Sequence, residues 1–475
     1  MKKKFLIFVY FVLILSISSS VIVESIFAQA NSSNIKMSEE GYSQMMLEAF
    51  KFIKRNYVEH VDEEALLEGA LKGMFNSLND PYSQYLTKKD LLDLSKTTQG
   101  NYVGIGISIT KKDVSLNSGN SIASYIMVVS LFEDGPAYKA GIKAGDYITA
   151  IDGKSTALMT IEKFIELLGG EVGTKVKVSV LRDKDSNLEF EVIRAKVDIN
   201  TVKHDVINKD IGYIKILSFN PNTNMNFRKA FEKLQTQKIK SLILDLRLNA
   251  GGYLQDAIKI ADDILAEGII VSTKSRDSNA PMHYKASSSH IVPLDMKIVI
   301  LIDRYSASAS EVLVGALKDN HRVYVIGEKS YGKGVIQRIL PFYTGGFKIT
   351  NSKYYTPSGS SIHNVGIKPD LEIEKSEYSE DDLLAYRQIF DKNLVENFLK
   401  SKRNKRSITE DEIDSFVDNV VKKHSSHKEI DKDFLGHHLL LQFYHHTDNE
   451  MPIYNLRYDK ALRAAYEYLL KGNKN

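Results

Sequence analysis

Three short segments of this 475-residue chain carry side chains that could do chemistry together. The first is Ser306-Ala307-Ser308-Ala309-Ser310-Glu311, which follows an apolar run and opens a helical pattern. A serine on a strand-to-helix turn sits at a helix N-terminus, where N–H groups without intrahelical partners can hold an oxyanion. The same letters also read as a plain cap, because Ser308-x-x-Glu311 is a capping box. The second segment, Ser330-Tyr331-Gly332-Lys333-Gly334-Val335-Ile336-Gln337, sets a lysine between two glycines. It reads either as a solvated turn or as a chain bent to carry an amine into a site. Burial lowers a lysine's pKa, and the neutral amine can then take a serine proton. In an extended strand Gln337 stands about 13 Å from Lys333, so it reaches the lysine only if Gly332 and Gly334 bend the backbone. The third segment runs from Leu242 to Gly252, an apolar strand ending in a double glycine. Its backbone N–H groups can complete an oxyanion hole, although glycines also suit any turn that needs positive φ.

Composition narrows the alternatives. The chain has no cysteine, which excludes disulfides, a thiolate nucleophile, Fe–S clusters and Cys-ligated zinc. With 43% hydrophobic and 26% charged residues it reads as globular. The net charge is +3, and about +1 once Lys2, Lys3, Lys4 and Glu24 are set aside with the leader. That balance argues against a phosphate-binding surface as the main business of the chain. No paired-carboxylate or His-Glu-x-x-His constellation supports a glycosidase or a metallohydrolase. Six of the twelve histidines fall at His424, His427, His437, His438, His445 and His446. His424-x-x-His427 has a spacing that could meet a metal. We read the stretch instead as a helical region that uses histidine, and expect no metal and no cofactor.

The surrounding pattern says what must position these segments. Residues 38–98 carry helical spacing, including Phe50, Ile53, Tyr57 and Val58, with a stop at Asn79-Asp80-Pro81. Residues 99–195 change to short β-rich runs with one helix candidate at Ile161–Leu168, the size of one small domain. Residues 196–375 alternate apolar strands and helices, as in α/β folds whose strands are buried on both faces. Residues 376–475 are polar, helical and rich in aromatic residues.

These motifs, in this order, resemble the bacterial C-terminal processing (tail-specific) proteases over about residues 45–375. Asp80-Pro81-Tyr82-Ser83 is similar to a motif ahead of the family's small domain. Asp245-Leu246-Arg247-Leu248-Asn249-Ala250-Gly251-Gly252 is similar to another, with Ala250 in place of the usual proline. Tyr354-Tyr355-Thr356-Pro357-Ser358-Gly359 and Gly366-Ile367-Lys368-Pro369-Asp370 resemble its closing strands. The 25-residue step from Ser308 to Lys333 is the family's spacing. The resemblance implies an α/β multidomain protein with a ClpP/crotonase-like protease core, an inserted β-rich PDZ domain and helical N- and C-terminal regions. It implies a serine endopeptidase with Ser308 as nucleophile, Lys333 as base and Gln337 as orienter. The oxyanion would rest on Ala309 N–H and one N–H from Gly251-Gly252. The different-class alternative is a PDZ scaffold whose protease domain no longer cuts.

Tyr102-Val103-Gly104-Ile105-Gly106-Ile107 resembles the carboxylate-binding loop of a PDZ domain, with Gly104, Ile105, Gly106 and Ile107 as the peptide-binding residues, and Gly135–Asp146 resembles that domain's "GPA…AGI…GD" stretch. Backbone N–H groups there would face a peptide's C-terminal carboxylate while the peptide adds as a strand. The partners implied are protein and peptide C-termini, with no nucleic acid. One departure stands out. The arginine thought to couple the PDZ domain to the active site in close relatives is replaced by Gly169, in Leu167-Leu168-Gly169-Gly170.

Residues 1–30 are an address. Lys2–Lys4 precede an apolar run from Phe5, and Ala28-Gln29-Ala30 supplies the small residues of a cleavage site. Cleaved, the segment is an export signal. Retained, Phe5–Val23 approaches the roughly 20 residues of a membrane anchor. Either reading places the body outside the cytoplasm, in the periplasm or on the outer face of the cytoplasmic membrane. In relatives terminal helices pack on a partner subunit, and Tyr458–Leu470 has the amphipathic pattern to do so.

Overall fold

The computed structural model describes residues 37–98, 101–115, 122–132, 135–157, 159–182, 186–276, 281–343, 345–373, 394–402, 407–423, 431–447 and 451–472. Residues 1–30, expected above to act as an export signal or anchor, and the pair His424 and His427 lie outside them. The chain divides at Asn79/Asp80 into two compact units. The first holds helices Glu39–Asn56 and Glu63–Asn76. Ser38 Oγ caps one by accepting the Gly41 N–H, and Asp62 Oδ1 caps the other by accepting those of Glu64 and Ala65. Acidic residues fill both first turns, facing the positive end of the helix dipole. Neither helix buries a residue.

The second unit is built on a sheet whose strands run in the order 202–207, 211–216, 241–245, 297–302, 324–327, 371–372. All neighbours after the first pair are parallel. Side chains alternate across a strand, so a strand buried on both faces must be apolar throughout. Leu242, Leu244, Ile298 and Ile300 pack with helices Thr223–Thr236, Leu254–Ile264 and Ala309–Asp319 through Phe227, Ile260 and Leu313. Tyr213, Ile243, Val299 and Leu301 belong to the other face, with Leu462, Ala465 and Leu469 of helix Lys460–Gly472. This corrects one expectation. The apolar stripe of Tyr458–Leu470 does not await a partner subunit, because the sheet's second face needs a cover and this helix supplies it. The other C-terminal helices, 394–402, 410–423 and 432–447, share a core of Leu399, Ile413, Val417, Leu439 and Phe443.

A second sheet stands beside the first. The hairpin Val335–Phe342/Gly345–Tyr355 pairs with 269–275 and, farther along, with 84–86, while 282–285 closes the edge. The residues between Gly104 and Ala195 form a third sheet, ordered 107–115, 122–131, 147–151, 175–182, 186–193. Its core includes Ile105, Val128, Ile148, Phe164 and Val178. Strand Ile107–Ser115 ends that order, so one of its sides is unpaired by the sheet. Strands Asn101–Gly104 and Ala195–Asp198 pair antiparallel where the chain enters and leaves. Among the described residues no helix is long and apolar enough to cross a membrane.

Candidate active site

The strand Lys297–Ile302 delivers the chain to a tight turn in which Asp303 Oδ1 accepts the N–H groups of Tyr305 and Ser306, both at 3.0 Å. Two of the three serines that follow are tied down. Ser306 Oγ donates to the Leu246 carbonyl and Ser310 Oγ to the Asn249 carbonyl, each at 2.9 Å. Both are fully buried. Ser308 differs. It caps helix Ala309–Asp319 with φ +56 and ψ −114, a conformation that costs a non-glycine residue about 1–3 kcal/mol. Its side chain, 8% exposed by residue, lies by the buried Tyr354 hydroxyl. Strain at one residue, held by two stapled neighbours, gives a serine aimed by its backbone.

The double-glycine turn meets this elbow directly. Gly251 has φ +97, and a Cβ there would stand 2.8 Å from Ser308 Cβ and 2.9 Å from Ala309 N. Only glycine permits that approach. The Gly251 N–H itself donates to Asn249 Oδ1 at 2.9 Å, and Asn249 Nδ2 donates to the Ile216 carbonyl at 2.8 Å. Gly252, φ +136, lies so close to Phe219 that no Cβ fits. Ala309 opens its helix, so its N–H has no intrahelical acceptor.

Glu311 brings the lysine in. Its buried carboxylate accepts Ser330 Oγ and the Gly332 N–H on Oε1, each at 2.6 Å, and the N–H groups of Ser308 and Lys333 on Oε2, each at 2.8 Å. Burial pushes its carboxyl pKa up, while these four bonds pull the other way. The capping box is therefore present and does more than cap: one carboxylate joins the serine turn to the lysine loop. Gly332, φ +93, makes the bend. Lys333 Nζ lies 5.0 Å from the centre of the Tyr82 ring. Burial holds its ammonium below the usual lysine pKa, and the charge of Lys348 adds to this while Glu311 opposes it.

Gln337 follows a register shift between Ile336 and Gln337. Its Nε2 donates to Thr350 Oγ1 at 3.4 Å, across the hairpin, and not to Lys333. The Thr350 N–H donates to Ser83 Oγ, which donates to Asp80 Oδ2 at 2.6 Å. So Asp80-Pro81-Tyr82-Ser83 contributes Tyr82 under the lysine and Ser83 to the hairpin. Arg247 faces away from this chemistry. It donates to Asp245, which also receives Tyr213 Oη, and with both Nη atoms to Asp459 at 2.8 and 2.7 Å. Among the described residues no cluster of three or more His, Asp or Glu side chains could hold a metal ion.

In the third sheet, Ile105 is buried and its carbonyl accepts the Ala137 N–H at 2.8 Å. Gly106, φ +77, accepts the Phe132 N–H at 3.1 Å and turns the chain into the edge strand at Ile107. Gly169 caps helix Ile161–Leu168. Arg194 sits beside this cap, its Nε and Nη2 donating to the carbonyls of Leu168 and Leu167, both at 2.9 Å.

The fold and this site define a serine-type protease carrying a PDZ domain. Residues 210–373 match the model of peptidase family S41, residues 127–182 that of the PDZ domain, and residues 9–90 that of the activating protease CtpB N-terminal domain. A carboxy-terminal-processing protease of Bartonella bacilliformis is 35% identical over 375 residues, covering 77% of this chain and 82% of that one. The carboxy-terminal processing protease CtpB of Bacillus subtilis is 34% identical, covering 70% and 67%. The chain belongs to the carboxy-terminal processing proteases of peptidase family S41.

Proposed function

We propose that the chain is an exported endopeptidase that captures protein C-termini on its PDZ domain and cleaves with a Ser308–Lys333 dyad. The observation that carries this reading is the Glu311 carboxylate, which binds Ser308 and Lys333 through one oxygen. The depressed lysine pKa favours a neutral amine. That amine takes the Ser308 hydroxyl proton as Oγ attacks the peptide carbonyl carbon. The resulting oxyanion is held by the N–H of Ala309 and one from the Gly251-Gly252 turn. Because Gly251 N–H is engaged by Asn249, Gly252 is the member of the turn we assign. The lysine ammonium then protonates the leaving nitrogen. Water, deprotonated by Lys333, releases the acyl group, and Ser308 regains its proton. Gln337 supports the lysine through the Thr350–Ser83 side of the hairpin.

The tail-reading role rests on the turn at Gly104, Ile105, Gly106 and Ile107 beside an unpaired strand edge. Residues 1–30 direct export, as a cleaved signal or an anchor. Association of two copies falls to the N-terminal helix 39–56, where Tyr42, Met45, Met46 and Phe52 are exposed. The test is turnover of a tailed peptide by the parent chain and by Ser308→Ala. Loss in the variant supports an enzyme using this serine. Equal, near-zero rates in both would favour the scaffold.

A further inference from the structure

Strand Ile107–Ser115 ends its sheet, and helix Ile161–Leu168 runs alongside it. Two contacts fix that placement. At the helix start, Lys111 Nζ donates to the Met159 carbonyl at 3.2 Å. At the helix end, a Cβ on Gly169 would lie 3.9 Å from the Val103 carbonyl. Strand and helix are therefore the two sides of a groove that begins at the Gly104–Ile107 turn and is crossed at its far end by the lysine. Side chains alternate along a strand, so Ile107, Ile109 and Lys111 share one face. Ile107, Ile109 and Met159 all pack on the core that Phe164 and Leu168 of the helix enter, so that face is the one turned to the helix. The groove is apolar near the turn and ends in a cation. On the helix, Ile161 and Ile165 are exposed one turn apart. The helix's own lysine, Lys163, pairs with Glu166 at 2.8 Å. Lys111 differs: among the described residues its ammonium meets a neutral carbonyl and no carboxylate. An ammonium has three donors, so the bond to Met159 leaves two.

We propose that Lys111 selects among tails: the chain prefers C-termini that carry aspartate or glutamate four residues before the terminal residue, with apolar residues at the end and two before it. The proposal rests on the reading of Gly104–Ile107 as a carboxylate receptor and extends it to the sequence of the tail. With its carboxylate held at the start of the strand, a peptide adding to the free edge must run antiparallel to it. Its terminal residue then stands by Ile107, the residue two before by Ile109, and the residue four before by Lys111, all on the side facing the helix. Apolar side chains suit the first two places. A carboxylate suits the third, where it takes the donors that the Met159 carbonyl leaves.

The experiment uses the full chain with Ser308→Ala, so that peptide is held without being cut, alone and combined with Lys111→Met or Lys111→Glu. The probes are short fluorescein-labelled peptides ending in valine that differ only in the residue four before the end: glutamate, alanine or lysine. The glutamate peptide is also made as its C-terminal amide. With Lys111 in place, the glutamate peptide should bind about two- to fivefold more tightly than the alanine peptide, the scale of an exposed ion pair, and the lysine peptide more weakly than either. Lys111→Met should bind the three alike, and Lys111→Glu should reverse the order. Glutamate moved one residue nearer the end turns to the opposite face and should gain nothing. Equal binding of the three peptides by a chain that still prefers acid to amide would overturn the role of Lys111 and leave the tail reader standing. An unchanged order in Lys111→Met would do the same. If the chain with Lys111 in place does not distinguish acid from amide, the tail reader falls and this selection with it.

Discussion

Ser308 and Lys333 donate their backbone N–H groups to the same atom, Oε2 of Glu311, each at 2.8 Å. Two residues from separate turns are thereby fixed in one frame before any substrate arrives. Oε1 holds the rest of the lysine loop through Ser330 and Gly332. Preorganisation of this kind matters because a 1 Å misplacement can cost about a hundredfold in rate.

Glu311→Gln should therefore lower kcat about a hundredfold, with KM little changed. A neutral amide offers one oxygen in place of two and turns an NH₂ toward groups that are themselves donors. Leaving a buried donor unpaired costs about 1–3 kcal/mol, enough to lower the melting temperature without unfolding the domain. Steady-state kinetics beside thermal melting checks both parts. Turnover within a factor of two of the parent would remove Glu311 from the account.

The three serines should separate cleanly. Ser308→Ala should abolish turnover, and loss of a cap costs about 0.5–2 kcal/mol, too little to unfold the protein. Ser306→Ala removes the bond to the Leu246 carbonyl and the acceptor of the Asp303 N–H, and Ser310→Ala removes the bond to the Asn249 carbonyl; at about 0.5–1.5 kcal/mol per bond, both should weaken activity without ending it. Circular dichroism and peptide cleavage on the three variants decide this. An active Ser308→Ala enzyme would mean that the nucleophile is another residue.

The rate should climb with pH as Lys333 loses its proton, because only the neutral amine is a base. Lys348 helps depress that pKa, so Lys348→Met should raise it and move the rising limb of kcat/KM to higher pH. At neutral pH the variant should be slower. Lys333→Arg should be dead, since arginine does not deprotonate in this range. A Lys348→Met profile that stays in place or moves to lower pH would contradict the assigned electrostatics.

Arg247 predicts a stability order. Asp245 is fully buried and shares the guanidinium with the half-buried Asp459. Asp245→Ala leaves a buried charge half-paired and should cost about 3–5 kcal/mol. Asp459→Asn keeps the buried partner and should cost about 1.5–3 kcal/mol, loosening helix Lys460–Gly472. Urea unfolding of both variants tests the order, and its reversal would show that the helix, not the strand, depends most on this arginine.

Elements with a short-range signature were readable before the fold was known. The strands at 211–216, 241–245 and 297–302 announce themselves by largely apolar runs, and Ser308-x-x-Glu311 by its cap spacing. What escaped is long-range. A cap and a brace share the bond from Glu311 to Ser308, but the brace's other partners lie 19 to 22 residues on. Arg247 meets Asp459 across 212 residues. No local pattern distinguishes Ser306 and Ser310, stapled to carbonyls of another turn, from Ser308 between them. Arg194 likewise meets the carbonyls of Leu167 and Leu168 from 26 residues beyond Leu168, a contact no local pattern announces.

The dyad is tested most directly by trapping the acyl-enzyme. The parent and Lys333→Arg chains are mixed with an activated ester of a tailed peptide, quenched in acid, digested and mapped by mass spectrometry. The account predicts an acyl group on Ser308 in the parent and none in Lys333→Arg. An acyl group on any other residue, or equal acylation without the lysine, would contradict it.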